Sequence, residues 1–156
     1  MNLGNDVILL AEDDRNDILL FQRALGKTRM MNPVHIVRDG QEAIGYLNGE
    51  APFTDRDRYP LPVLLLLDLK MPRKTGFEVL EWVRGKPGLK RLPAVVLTSS
   101  NQSADVNKAY DLGANSYLVK PAGFDALLEI VKSLESYWLK LNEKPDLGSK
   151  PAVSLM

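Results

Sequence analysis

The feature that most constrains the fold is an unbroken apolar run, Val63–Leu67, that ends at a lone carboxylate, Asp68. An apolar run of this length, bounded by turn residues, predicts a short β-strand. Because the run is continuous rather than alternating, both faces of the strand are expected to be covered, as in a parallel sheet between two helical layers. The run therefore predicts a central strand that presents Asp68 at its carboxyl end.

Similar short runs recur along the chain and alternate with segments of helical period. The other predicted strands are Val7–Ala11, Val34–Val37, Ala94–Leu97 and Ser116–Val119. The predicted helices are Asp17–Leu25, Gln41–Leu47, Phe77–Arg84, Ala104–Leu112 and Asp125–Leu141. This alternation predicts an α/β fold, an open parallel sheet with right-handed crossovers, in which ligands bind at the carboxyl ends of the strands.

Composition narrows the classes of function. The 156 residues are enough for one core, and the 20 basic and 20 acidic side chains give no overall field that favours nucleic acid or an anionic membrane. The chain has no cysteine and a single histidine, so Cys-based and His-rich metal sites are excluded. The sequence has neither a secretory signal nor a run of about eighteen apolar residues, which favours a cytoplasmic location.

Acidic residues follow two of the predicted strands. Glu12 and Asp13 follow the first strand and Asp68 follows the third. In a sheet of order 2-1-3-4-5 these strands are neighbours, so the three carboxylates would converge, and each pair about 4 Å apart would cost on the order of 4 kcal/mol. A hard divalent cation removes that cost, so the cluster predicts Mg²⁺ and a phosphoryl group.

Two further side chains at strand ends complement such a site. Lys120 would supply positive charge to phosphoryl oxygens, and the hydroxyl of Thr98 could donate a hydrogen bond to them. Taken singly, each residue has an ordinary structural interpretation. Asp68 could be a cap or turn former, the acids near residue 12 a solvated helix start, Thr98 a strand residue and Lys120 a surface amine. Their joint occurrence favours the site.

Four motifs together resemble the receiver domain of two-component response regulators, in order and in spacing: "ILLAEDD", "LLLLDLKMPRKTG", "PAVVLTSS" and "GANSYLVKP". The resemblance covers roughly residues 7–141. It implies a flavodoxin-like (βα)5 doubly wound parallel sheet of order 2-1-3-4-5. It also implies that a histidine kinase transfers a phosphoryl group to one aspartate, so that the chain is a signalling switch rather than a dedicated enzyme.

The resemblance assigns roles residue by residue. Asp68 matches the phosphoacceptor, and Glu12, Asp13 and Asp68 match the side chains that hold Mg²⁺. The backbone carbonyl of Lys70 takes the remaining protein-ligand position.

The same resemblance matches Thr98 and Lys120 to the hydroxyl and the lysine that contact the phosphoryl group, and pairs Thr98 with Tyr117 as the switch residues. Family members commonly have a cis peptide before the matching proline, so Lys120–Pro121 is a candidate for a cis peptide, an isomer that would aim the lysine side chain.

Shorter motifs resemble a narrower group, the stand-alone regulators of bacterial phytochrome histidine kinases: "AEDDRNDILL", "YDLGANSYLVKP" and "LESYWLKL". A phytochrome-type kinase is then the expected partner, and a homodimer is a further expectation. Residues 1–142 are predicted to form the receiver domain and residues 143–156 a flexible tail. About fifteen residues after the last helix are too few for a DNA-binding domain, so an unknown downstream protein is expected to receive the signal.

Two other functions stay open at this point. A haloacid-dehalogenase-type phosphohydrolase also uses a strand-end aspartate, Mg²⁺, a threonine and a lysine, but needs a second aspartate where this chain has Lys70. A receiver that is never phosphorylated and serves as a scaffold would need none of the site residues, whereas this chain has them all. The loop of residues 48–62, with prolines at 52, 60 and 62, has no function that the sequence indicates.

Overall fold

A computed structural model of the chain describes residues 6–147. Its five strands form one parallel sheet in the order β2-β1-β3-β4-β5, which confirms the predicted fold. The strands are β1 (Ile8–Ala11), β2 (Val34–Val37), β3 (Leu64–Leu67), β4 (Ala94–Thr98) and β5 (Ser116–Val119). The helices are α1 (Arg15–Gly26), α2 (Gly40–Leu47), α3 (Gly76–Gly85), α4 (Ser103–Asp111) and α5 (Phe124–Ser133).

Each face of the sheet packs against its own helical layer. Leu65 and Leu67 of β3 belong to the cluster that includes α2, α3 and α4, whereas Leu64 and Leu66 belong to the cluster that includes α1 and α5. All four leucines are fully buried. The continuous apolar pattern of β3 therefore follows from burial of both faces, as predicted.

The register of the sheet places the carboxyl ends of β1 and β3 side by side. Ala11 lies opposite Leu67, so Glu12 and Asp68 leave the sheet at the same level. At the other side of β4, Thr98 lies opposite Val119, and Lys120 follows directly. The backbone N–H of Lys120 donates to the Thr98 carbonyl over 2.7 Å, which extends this pairing by one residue.

The last helix differs from the prediction of one α-helix over Asp125–Leu141. The chain is α-helical only to Ser133 and continues as a π-helix over Leu134–Leu141. Leu134 and Leu139 are both buried, and residues five apart share a face when hydrogen bonds span five residues. The wider turn therefore keeps both leucines on the core.

The predicted flexible tail is partly outside the described residues. Residues 143–147 have no helix or strand, but Leu147 packs against the α2-α3-α4 side of the core. The Lys144 ammonium donates to the Leu139 carbonyl over 2.9 Å. Residues 148–156 lie beyond the part of the chain that the structure describes, so the flexibility of the tail stays a prediction.

The Lys120–Pro121 peptide is not cis, so this expectation is wrong. The structure has a cis X–Pro bond at Ala51–Pro52 instead. The ammonium of Lys120 contacts Asp68 without the cis isomer, which removes the need for that isomer to aim the side chain.

No helix within residues 6–147 is long and apolar enough to cross a membrane.

Candidate functional site

The site lies at the carboxyl edge of the sheet, where the loops after β1 and β3 meet. Ligand oxygens of Glu12, Asp13 and Asp68 all lie within 4.8 Å of one another. Glu12 and Asp68 are buried and Asp13 is exposed, so the cluster opens to solvent beside Asp13. Two loops from neighbouring strands thus bring together the three carboxylates that the sequence predicts.

The turn after β1 is fixed by its own acids. The Glu12 carboxylate accepts a hydrogen bond from the Asp14 backbone N–H over 3.0 Å. The side chain of Asp14 caps α1 by accepting from the Asp17 N–H over 3.0 Å. The helix therefore starts directly after the acidic residues, and these two hydrogen bonds hold Glu12 and Asp13 at the edge of the sheet.

Asp68 is held by donors on both oxygens. Oδ1 accepts from the Thr98 hydroxyl over 2.7 Å and from the Leu69 N–H over 2.7 Å. Oδ2 accepts from the Lys120 ammonium over 2.9 Å. The backbone at Gly76 packs closely against Asp68: a Cβ at this position would collide with the Asp68 carbonyl. Asp68, Thr98 and Lys120 are thus brought into direct contact.

In the part of the chain that the structure describes, the ammonium of Lys120 has three carboxylate partners. They are Glu12 Oε1 at 2.6 Å, Asp17 Oδ2 at 2.7 Å and Asp68 Oδ2 at 2.9 Å. Each can accept one of the three N–H groups of the ammonium. The lysine side chain is 13% exposed, so these charge-assisted hydrogen bonds are shielded from water.

Burial and hydrogen bonding shift the pKa values of the buried acids in opposite directions. Burial raises the pKa of Glu12 to about 7, although the hydrogen bond from Lys120 lowers it. Burial also opposes ionisation of Asp68, but hydrogen bonds from Thr98 and Lys120 outweigh it and hold the pKa of Asp68 below its usual value. The Asp68 carboxylate is therefore ionised at neutral pH.

Burial works against the charge on Lys120 as well. Hydrogen bonds to Asp17, Glu12 and Asp68 are stronger than this effect and raise the pKa of Lys120 above its usual value. The site therefore holds an ammonium, which can contact an anionic phosphoryl group, next to an ionised aspartate, the form of the carboxyl group that can act as a nucleophile.

The remaining predicted residues lie around this centre. The Tyr117 hydroxyl donates over 2.9 Å to the carbonyl of Ser100, which lies two residues after Thr98 in the loop that follows β4. Lys70 is exposed in the loop after β3, and the assignment of its backbone carbonyl to a metal stays a prediction.

Sequence reasoning missed two contacts. The sequence places Asp17 only at the start of the first helix, whereas its carboxylate pairs with Lys120 in the structure. Its place in the first turn of the helix that follows β1, on the same edge as Glu12, was the available signal. Asp39, which caps α2, accepts from Arg73 Nε over 3.0 Å. Arg73 has a φ of 68° and is exposed, and no sequence pattern marked that pair.

The comparisons with known proteins agree with this geometry. The sequence model of the response regulator receiver domain matches residues 8–132. The chain is 40% identical to the response regulator Rcp1 of Synechocystis over 134 residues, which is 86% of this chain and 89% of Rcp1.

Two solved structures are similar throughout the domain. The phosphorylated cyanobacterial phytochrome response regulator RcpA superposes with a TM-score of 0.83 at 40% identity, over 90% of this chain and 99% of RcpA. The Mn²⁺-bound form of Rcp1 gives a TM-score of 0.80 at 38% identity, over 90% of this chain and 99% of that chain.

A dication fits the residues present here. Receiver domains bind Mg²⁺ at an acidic pocket, and this chain offers three hard carboxylate ligands close enough to share one ion. The matches favour a signalling receiver over the phosphohydrolase alternative. With its fold, acidic cluster and sequence in agreement, the chain belongs to the response regulator receiver domain family.

Proposed function

We propose that this chain acts as a stand-alone receiver that accepts a phosphoryl group on Asp68 and passes the signal on through a change of its surface. The observation that carries the proposal is the contact of an ionised, buried Asp68 with Thr98 and Lys120 beside two further acids. A structural cap would need neither the lysine nor the neighbouring carboxylates. The 89% coverage of Rcp1 supports the stand-alone form.

In the proposed reaction, a carboxylate oxygen of Asp68 attacks the phosphorus of a phosphohistidine on the kinase. An O–P bond forms, the P–N bond breaks, and the electron pair of that bond returns to the imidazole, which takes up a proton. Lys120 and the Thr98 hydroxyl then contact phosphoryl oxygens instead of the free carboxylate. The product is an acyl phosphate on Asp68.

Glu12, Asp13 and Asp68 would hold Mg²⁺ together with the Lys70 carbonyl. When bound, the ion supplies positive charge that offsets both the acidic cluster and the phosphoryl oxygens. Exposed Asp13 lies at the solvent side of the cluster, where an ion can enter. The chain's own contribution is to keep three carboxylates at one level of the sheet, which the register of β1 and β3 supports.

The switch is assigned to Thr98 and Tyr117. Movement of the Thr98 hydroxyl toward the phosphoryl group would vacate space beside β4, and Tyr117 would turn inward from its present hydrogen bond to the Ser100 carbonyl. The surface formed by α4, β5 and α5 would change in consequence. That surface is proposed to contact an unknown downstream protein, and a homodimer could use it as well.

The proposed partner is a phytochrome-type histidine kinase in the cytoplasm. The support is the similarity to RcpA and Rcp1, the first of which is a phytochrome response regulator. Neither DNA nor a membrane has a part in the proposal. The chain is proposed to be a switch rather than an enzyme with a substrate pocket of its own, although it would assist its own phosphorylation.

The test is incubation with acetyl phosphate and Mg²⁺, followed by intact-mass measurement. The unmodified chain should gain one phosphoryl group, and Asp68→Asn should gain none. Asp57→Asn is the matched control, because it makes the same change at an exposed aspartate in the loop before β3. Phosphate incorporation by Asp68→Asn equal to that of the control would overturn the assignment. Rapid turnover of small phosphomonoesters by the unmodified chain would favour a phosphohydrolase instead.

A further inference from the structure

Among residues 6–147, Asp17 is the one ion-pair partner of Lys120 that does not belong to the acidic cluster of Glu12, Asp13 and Asp68. Its Oδ2 lies 2.7 Å from the Lys120 ammonium, and its side chain is 34% exposed. Glu12 and Asp68, the other two partners, both belong to the proposed metal site. The lysine is therefore shared between the site and a carboxylate of α1.

The position of Asp17 is fixed by the helix start. Asp17 lies in the first turn of α1, and its backbone N–H is bound by the Asp14 cap over 3.0 Å. The residue therefore belongs to a rigid element, whereas Lys120 lies in the loop after β5. A carboxylate on a capped helix is a firm anchor for a long, flexible ammonium side chain.

Packing alone does not fix the lysine. Lys120 borders a pocket of about 40 Å³ between the sheet, α1 and α5. The pocket is lined mainly by apolar side chains: Leu10, Leu20, Phe21, Leu97, Pro121 and Leu127. Glu12 and Asp17 complete the lining, so the pocket adds no polar partner to the carboxylates already named, and the position of the ammonium depends on those carboxylates.

We propose that Asp17 is a positioning residue that anchors Lys120 when a cation or a phosphoryl group claims the other two partners. The proposal rests on the proposed function of Asp68 as phosphoacceptor. In the described state Lys120 and a metal ion would compete for Glu12 and Asp68. Asp17 keeps one strong hydrogen bond to the ammonium through that exchange and lowers the cost of releasing the two metal ligands.

Removal of the anchor should make the lysine a stronger competitor of the ion. In Asp17→Ala the ammonium retains only Glu12 and Asp68, so Mg²⁺ must displace it from both of its remaining partners. Mg²⁺ affinity should fall about tenfold, the scale of coupling between charged groups in direct contact. Asp17→Asn keeps a hydrogen-bond acceptor but loses the charge. Its Mg²⁺ affinity should therefore lie between that of the unmodified chain and that of Asp17→Ala.

The experiment is calorimetric titration of the full chain with MgCl₂. Asp125→Ala is the matched control, because Asp125 is an exposed acid in the first turn of α5 and has no ion pair with Lys120. Its Mg²⁺ affinity should stay within about twofold of the unmodified chain, as expected for one screened surface charge. Asp17→Asn serves if Asp17→Ala does not fold.

A double-mutant cycle with Lys120→Met separates anchoring from a general loss of negative charge. If Asp17 acts through the lysine, Asp17→Ala should change Mg²⁺ affinity less than about twofold in the Lys120→Met chain. Equal losses in both backgrounds, or no loss in either, would overturn the proposal. In ¹⁵N NMR, the Lys120 ammonium signal should broaden through faster proton exchange in Asp17→Ala, and an unchanged signal would also count against anchoring.

These measurements do not require phosphorylation. Failure of acetyl phosphate to label Asp68 would remove the proposed function while the cycle could still show coupling between Asp17 and Lys120. Conversely, labelling with no coupling in the cycle would retain the receiver function and remove the positioning role of Asp17. With both intact, Asp17→Ala should also slow labelling by acetyl phosphate.

Discussion

The carboxyl edge and the amino edge of the sheet differ in which polar groups they bury and in how those groups are paired. Within residues 6–147, the buried polar and charged residues are Glu12, Asp39, Asp68 and Thr98, and each lies at or just after the carboxyl end of a strand. At the amino edge, the loop before β3 packs aromatic rings against β2 and α2. Three of the four buried groups at the carboxyl edge are acids, whereas none of the charged residues at the amino edge within residues 6–147 is fully buried.

The loop of residues 48–62 shows how the amino edge satisfies its polar atoms. Tyr46, which is fully buried, donates its hydroxyl to the Pro60 carbonyl and contacts His35 Nδ1, each over 2.9 Å. Phe53 and Tyr59 pack against the Tyr46 ring at centroid distances of 5.1 and 5.9 Å. The loop that the sequence left without a role is thus a packed cover of the core.

The two edges also differ in whether their charged side chains are balanced by partners within the chain. Arg56 at the amino edge donates to three backbone carbonyls of its own chain, so its charge and their dipoles are matched internally. At the carboxyl edge, one ammonium contacts three carboxylates and Asp13 adds another negative charge. The carboxyl edge therefore needs a cation from outside, which is characteristic of a binding site rather than of a structural network.

The largest expected effect on stability tests the amino edge. Arg56→Ala would remove the side-chain donor to the carbonyls of Leu47 and Tyr59 and one of the donors to the Tyr46 carbonyl, so the free energy of unfolding should fall by about 2 to 3 kcal/mol. Urea denaturation measures this. Arg58→Ala is the control, because Arg58 is exposed and lies over the Tyr59 ring, and its loss should cost about 0.5 kcal/mol. Equal losses would mean that the carbonyl network contributes little.

At the carboxyl edge the expected effect is smaller, and it is a gain rather than a loss in the free energy of unfolding. Mg²⁺ at ten times its dissociation constant should raise the free energy of unfolding by about 1.4 kcal/mol, since only the folded chain assembles the three acids. Asp13→Ala should remove this gain, because it deletes the exposed ligand of the cluster. Urea denaturation with and without MgCl₂ makes the comparison. Stabilisation of Asp13→Ala as large as that of the unmodified chain would exclude Asp13 from the metal site.

Much of the carboxyl edge could be predicted from sequence, for a physical reason. Strand period fixes which residues end each strand, and parallel pairing puts those ends together, so Glu12, Asp68 and Lys120 converge once the strand order is known. The contact of Asp17 with Lys120 could not be predicted this way. It depends on the placement of α1 along the edge of the sheet and on the rotamers of both side chains, and an apolar period specifies neither.

The sequence predicts the contacts of the amino edge and the geometry of the last helix less well, for related reasons. Arg56 looked like one charge among several in a loop, because its backbone acceptors carry no sequence signal. The π-helix over Leu134–Leu141 has the same apolar residues as an α-helix would, and its wider turn follows from packing of Leu134 and Leu139. Tertiary contacts, rather than local pattern, determine both features.

The smallest effect distinguishes the two edges by pH. Burial lowers the pKa of His35 below 6.5, so the unfolded chain binds more protons there and stability should fall as pH drops through about 6.5 and below. At the other edge, burial raises the pKa of Glu12 from 4.5 to about 7, so that group takes up a proton on folding and adds stability as pH falls. His35→Phe keeps a ring beside Tyr46 but removes the first contribution alone. Urea denaturation at about pH 7.5 and 5.5 should therefore show a smaller acid loss, or a larger acid gain, in His35→Phe than in the unmodified chain. The same pH response in both chains would assign the titration to the carboxyl edge alone.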